Sequence, residues 1–170
     1  GGNLKVTDTY ANLITNGGID NIQLAYSGNA NLDVTVTDAI TDAEYDLVNG
    51  KNGTGTIVYD LADAKSNIFA SSSSASFATG LGAILSGATT VTVTDAISQD
   101  QAAAIETQLS GSLSGVTFSL SDTSAKIFNG NAVRDESVVK AASVQGSISK
   151  IAIAGTGTDE EANITQMAAL

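Results

Sequence analysis

Apolar and polar residues alternate along several short stretches of the chain, most clearly in Val34-Thr35-Val36-Thr37-Asp38-Ala39-Ile40. Successive side chains of a strand point to opposite faces of a sheet, so apolar residues at every second position fit a strand with one buried face. The same seven residues recur 57 positions on as Val91–Ile97, and a looser copy, Ile151-Ala152-Ile153-Ala154-Gly155, comes 60 positions later. The residues directly after each copy recur as well: Thr41-Asp42-Ala43-Glu44, Ser98-Gln99-Asp100-Gln101 and Thr158-Asp159-Glu160-Glu161 all fit Ser/Thr-x-x-Glu/Gln. In that pattern the hydroxyl accepts from the third helical amide and the Glu or Gln reaches back to the cap residue's own amide, which opens a helix. Leu47, Ala104 and Ile164 take the equivalent apolar position in the predicted helices.

A second motif runs half a period out of phase. Asp8–Ile14, Asp63–Phe69 and Asp122–Phe128 align at offsets of 55 and 59. Each is preceded by alternating apolar residues: Leu4 and Val6, then Ile57, Tyr59 and Leu61, then Phe118 and Leu120. The Asp is expected just past its strand, capping the next helix, with Leu13-Ile14, Ile68-Phe69 and Ile127-Phe128 opening that helix's buried side. One unit is therefore strand, capped helix, strand, capped helix. The units run approximately 4–56, 57–117 and 118–170, in one array over residues 1–170. The expected fold is α/β, a repeat-built, solenoid-like stack of strand–helix–strand–helix units, with a single compact α/β domain as the alternative. The first unit departs from the pattern, since Ile22–Tyr26 reads as an extra strand where Ser76–Leu85 and Asp135–Ala142 read as helices. Ser71–Ser74 reads as a short turn.

Composition narrows the function. The chain is 42% hydrophobic but only 5% aromatic and 15% charged, so its layers must be built from small aliphatic side chains under a neutral, hydroxyl-rich skin. A net charge of -11 with seven Lys and Arg leaves no basic patch for nucleic acid or for an anionic membrane surface. The chain holds no Cys and no His, which removes thiol nucleophiles, thiolate zinc sites and the commonest general base. No apolar run reaches the roughly 18 residues that span a bilayer. Gly1-Gly2-Asn3-Leu4 has neither an initiator Met nor the features of a signal peptide, and the expectation is a piece of something longer.

The Asp-Thr-x-Ala-Asn-Leu element at Asp8–Leu13, with Val-Thr-Val-Thr-Asp-Ala and the later Asp-Ala and Asp-Thr elements, resembles the "DTAANI"-type tandem repeats. Those occur in giant secreted bacterial surface proteins: surface-layer-like proteins, adhesins and repeats-in-toxin exoproteins. The resemblance covers almost the whole chain. It implies an extracellular or cell-surface setting and a structural role, and it carries over no catalytic residue. The Gly- and Asp-rich calcium nonapeptide of repeats-in-toxin proteins is absent from this sequence.

No catalytic or cofactor-binding residue is expected. The candidate calcium ligands are Asp38, Asp95, Asp159 and Glu160, the last two in a loop, Gly155–Glu160, that looks like an annexin calcium loop. Each has a simpler reading, because acidic residues belong in the first turn of a helix and Asp serves in caps and turns. The aromatic residues are expected in the core, and the sequons at Asn52 and Asn163 are expected to be empty. The expected role is a structural module of a secreted surface protein: a surface-layer, filament or stalk building block. Its partners would be itself or neighbouring repeats, and an adhesive module recognising a cell-surface glycan or a protein is the alternative.

Overall fold

The computed structural model describes residues 4–14, 22, 31–130, 132–133 and 148–153. The protein is mixed α/β, with a six-stranded parallel sheet and helices. In chain order the elements are β1 (Leu4–Asp8), α1 (Tyr10–Leu13), β2 (Leu32–Ile40), α2 (Asp42–Asn49), β3 (Ile57–Asp63), α3 (Lys65–Ile68), α4 (Leu81–Gly87), β4 (Val91–Ile97), α5 (Gln99–Gln108), β5 (Val116–Asp122) and α6 (Ser124–Ile127). The two-residue strands β6 (Phe128–Asn129) and β7 (Ala132–Val133) and the strand β8 (Ile148–Ile153) complete the described chain. The six long strands lie in the order β1-β2-β3-β4-β5-β8, so spatial order follows chain order. Both copies of Val-Thr-Val-Thr-Asp-Ala-Ile are strands, and Ile151–Ile153 of the third copy lie in β8, with Ala154-Gly155 outside the described residues.

The chain divides into two compact units: residues 1–63 with 87–91, and residues 64–86 with 92–170. In the first, β1 pairs with β2 and β2 with β3, all parallel, placing Val6 beside Val34 and Val34 beside Ile57. One face of these strands is buried through Leu32, Val34, Val36, Ile40, Tyr59 and Leu61. The other face carries Asp33, Thr35, Val58 and Asp60, which are half-buried or exposed. Parallel sheets are ordinarily covered on both sides and read as continuous apolar runs. Here the strands alternate, and hydroxyls and carboxylates on the outer face tie neighbours together. Asp33 Oδ1 accepts from the Thr56 amide at 2.9 Å and its hydroxyl at 3.0 Å, and Asp60 Oδ1 accepts from the Thr90 hydroxyl at 2.7 Å.

The second unit repeats this construction. Val93, Ile97, Val116, Phe118 and Leu120 are buried and Thr94 and Thr117 exposed, while β5 pairs in parallel with β8. The Ser119 and Ser149 hydroxyls lie 3.1 Å apart on the outer side. Ala102 and Ile105 of α5, Leu81 and Leu85 of α4, Phe69 and Ile127 are buried as well.

Both described capping boxes form. Thr41 and Ser98 are N-caps whose hydroxyls accept from the Glu44 and Gln101 amides, and the Glu44 and Gln101 side chains accept from the cap amides. The third box, Thr158–Glu161, lies outside the described residues. The apolar phase inside these helices differs by one residue from the expectation. Val48 and Ile105 are buried, whereas Leu47 is 48% exposed and Ala104 half-buried. Ile22 is helical, in place of the strand expected there, and the rest of Ile22–Tyr26 lies outside the described residues, as does Asp135–Ala142. The helix expected over Ser76–Leu85 is instead Leu81–Gly87. Residues before it are taken up in a ribbon, with Phe69 bridged to Phe77, the Ala70 amide bonded to the Ser76 carbonyl and the Ala78 amide to the Ile68 carbonyl. Ser71–Ser74 is a turn, as expected, and Gln101 Nε2 pins it by donating to the Ser72 and Ser74 carbonyls.

Candidate functional site

Beside the capping boxes, the described residues repeat a second polar arrangement, the aspartates near the strand ends. A helix begins with amides that have no partner inside the helix, and the first of them must find an acceptor elsewhere. In this protein the acceptor comes from the next strand along the chain. The Tyr10 amide, first in α1, donates to Asp38 Oδ1 at 2.7 Å, and the Asp42 amide, first in α2, donates to Asp63 Oδ2 at 2.9 Å. The second unit has the same rungs: the Lys65 amide of α3 donates to Asp95 Oδ2 at 3.2 Å, and the Gln99 amide of α5 to Asp122 Oδ2 at 2.9 Å. Each carboxylate also faces the positive end of the helix it serves.

This corrects the expectation that Asp63 and Asp122 cap the helices directly after their own strands. Those helices start from Ala64 and Thr123, and α1 from Thr9, none of which makes a side-chain capping bond. Asp8 and Asp122 do bind locally through Oδ1, which accepts from the next amide, Thr9 or Thr123, at 2.8 Å. Asp8 Oδ1 also accepts from Asn12 Nδ2 at 2.8 Å, and this bond holds the Asp8 carboxyl below its ordinary range. Asp38 reaches its rung from a bulge in β2, whose register against β3 shifts between Thr35 and Ala39.

Of the candidate calcium ligands, Asp38 and Asp95 each engage a helix amide, and Asp159 and Glu160 lie outside the described residues, as does the rest of Gly155–Glu160. Among the described residues no group of three or more acidic side chains is placed to hold a metal ion. Asp63 is buried beside Asp42, and burial, then the hydrogen bond with Asp63, raises the Asp42 carboxyl above its ordinary range. A raised carboxyl is protonated more readily folded than unfolded, so its ionisation subtracts stability as pH rises through the folded value. Asp42→Asn is therefore expected to stabilise the protein at neutral pH by under about 1 kcal/mol, a figure discounted for solvent screening. The gain should vanish below the ordinary carboxylate range. Urea midpoints of the two proteins across pH check this, and a gain that grows on acidification would contradict the pairing.

Phe69, Phe118, Phe128 and Tyr59 are buried, and Tyr10, Tyr45 and Phe77 half-buried, so these rings form no exposed platform. Burial pushes the Tyr59 phenol up to about 12, and its ring lies 4.7 Å from that of Tyr45. Asn52 is fully buried and its Nδ2 donates to the Gly55 carbonyl at 2.7 Å, so this sequon is not presented to a glycosylating enzyme. Asn163 lies outside the described residues. No helix among the described residues is long and apolar enough to cross a membrane.

No family model, curated protein or solved structure matches the chain.

Proposed function

We propose that this protein is a non-catalytic structural module of a secreted bacterial surface protein, a solenoid-like stack of strand–helix units that serves as a surface-layer, filament or stalk building block. The observation that carries the reading is the aspartate ladder. Four times, a strand-end Asp is bonded to the helix one step behind it, so each unit is completed by its successor. The sequential strand order supports the same reading, because such a sheet grows by adding the next unit at its edge. So does the outer face, whose Asp, Thr and Ser side chains join neighbouring strands. The "DTAANI"-type resemblance supplies the extracellular setting.

Fusing one, two and three copies of the chain head to tail tests this. Small-angle scattering should show the longest dimension growing by a constant increment per copy. Particles that become rounder as copies are added would defeat the stack. The exposed Thr94 and Thr117 favour a second reading, adhesion to a glycan through the outer face, which binding on a glycan array would establish.

A further inference from the structure

We propose that the Asp42–Asp63 pair is a proton-operated catch, which holds the first turn of α2 against β3 in acid and loosens it as pH rises. Both residues belong to one compact unit, so the inference does not depend on how units stack.

Three observations carry it. First, the pair is bonded at two points. The Asp42 amide donates to Asp63 Oδ2 at 2.9 Å, and the two carboxyl groups are hydrogen-bonded to each other. An ionised carboxylate only accepts, so that second bond needs a proton between the two groups. Asp63 is 3% exposed at the end of β3, and water has little access to the bond.

Second, the charges that act on Asp42 are negative: Asp63 of β3 and Asp46, one turn along α2. The neighbouring acids along the chain are engaged elsewhere. Glu44 accepts from the Thr41 amide and hydroxyl, and Asp38 accepts from the Tyr10 amide. A bond from the Ala43 amide and the positive end of α2 both favour an ionised Asp42. Burial and the bond with Asp63 outweigh them and keep the Asp42 carboxyl above its ordinary range.

Third, the fold contains its own control. Gln99 opens α5 where Asp42 opens α2, and Asp122 stands where Asp63 does. The Gln99 amide donates to Asp122 Oδ2, also at 2.9 Å. Gln99 has no proton to lose, so this is the same rung without the catch.

A carboxyl whose folded value lies above its unfolded one binds its proton more tightly in the folded chain, and below the ordinary carboxylate range the catch is closed. As pH rises through the raised value the proton leaves and two carboxylates face each other. The first turn of α2 then opens more often, as a local event within a folded unit.

Amide hydrogen exchange followed by NMR on the whole chain, from about pH 5 to about pH 8 and corrected for intrinsic rates, tests the catch. Protection of the Asp42, Ala43 and Glu44 amides should fall about threefold or more across that range, while Gln99, Asp100 and Gln101 hold steady. Asp42→Asn keeps a donor for Asp63 and should remove the fall. Gln99→Asp should install it at α5. Circular dichroism verifies that both variants are folded, and the wild-type comparison of α2 with α5 stands without either. Protection that stays flat at α2 while the Asp42 carboxyl titrates, read from its carbon shift, overturns the inference, because the side chain then swings into water and leaves the helix closed. Equal falls at α2 and α5 overturn it as well, since the whole protein then loosens. So does a fall that survives in Asp42→Asn, which another group must drive.

Discussion

Replacing the four ladder residues Asp38, Asp63, Asp95 and Asp122 together with Ala is expected to destabilise the protein by about 4 kcal/mol. Removing a carboxylate from a helix-initial amide costs about 1 kcal/mol, within a range of about 0.5–2. The rungs share no partners, so their losses should add to about 4 kcal/mol. Whole domains are commonly stable by only about 5–15 kcal/mol. Asp63→Ala should be the costliest single change, because that rung is 3% exposed and water cannot take over the bond to the Asp42 amide. Urea titrations of the four single variants and the quadruple variant measure the sum. Asp46→Ala, an exposed carboxylate in the body of α2, should fall within about 0.5 kcal/mol of wild type. If Asp63→Ala costs no more than Asp46→Ala, the Asp63 carboxylate does not hold the start of α2 to β3.

Gly55→Ala should cost about 3 kcal/mol at a single position. A Cβ at Gly55 would overlap the backbone carbonyl of Leu32 and come within 2.7 Å of its nitrogen. Neither side can yield. Leu32 is wholly buried at the start of β2, its amide donating to the Asn52 carbonyl at 3.1 Å, while Asn52 Nδ2 holds the Gly55 carbonyl from the other side. Moving the turn would break both bonds and shift the register of Val34 against Ile57. Overpacking of this kind costs about 3 kcal/mol at its upper end. Here the obstructing atoms are backbone, so the low end does not apply. A variant whose thermal midpoint matches wild type would show that the turn does not approach β2 this closely.

Features closed within a few residues were the legible ones. Thr41 with Glu44, and Ser98 with Gln101, sit three positions apart, and the alternation of Val34–Ile40 needs no partner to be read. The ladder could not be read the same way. Its bonds join residues 28, 21, 30 and 23 positions apart, so the sequence showed that the Asp residues recur but not which helix each serves. The capping rule, applied locally, assigned Asp63 and Asp122 to the helices after them, and pairing of successive strands decided otherwise. The start of α4 was missed for a similar reason. Ser76–Phe77 precedes an amphipathic run, but the bridge from Phe77 to Phe69 holds it in a ribbon. A signal for the ladder does exist in the recurrence of an aspartate beside four of the strands that come after a predicted helix, Asp38, Asp63, Asp95 and Asp122, although the third copy of the strand motif carries Gly155 at that position.

The rungs come in two kinds that alternate. Asp38 and Asp95 serve the single-turn helices α1 and α3, whereas Asp63 and Asp122 serve the boxed helices α2 and α5. Excising one strand with its helix would bring together two loops of unlike length, with a carboxylate aimed at the wrong helix. Excising two in succession would restore every pairing. An in-frame loss or duplication that keeps these pairings therefore spans two strands, which is the spacing of 57 and 60 residues at which the strand motif recurs in the sequence.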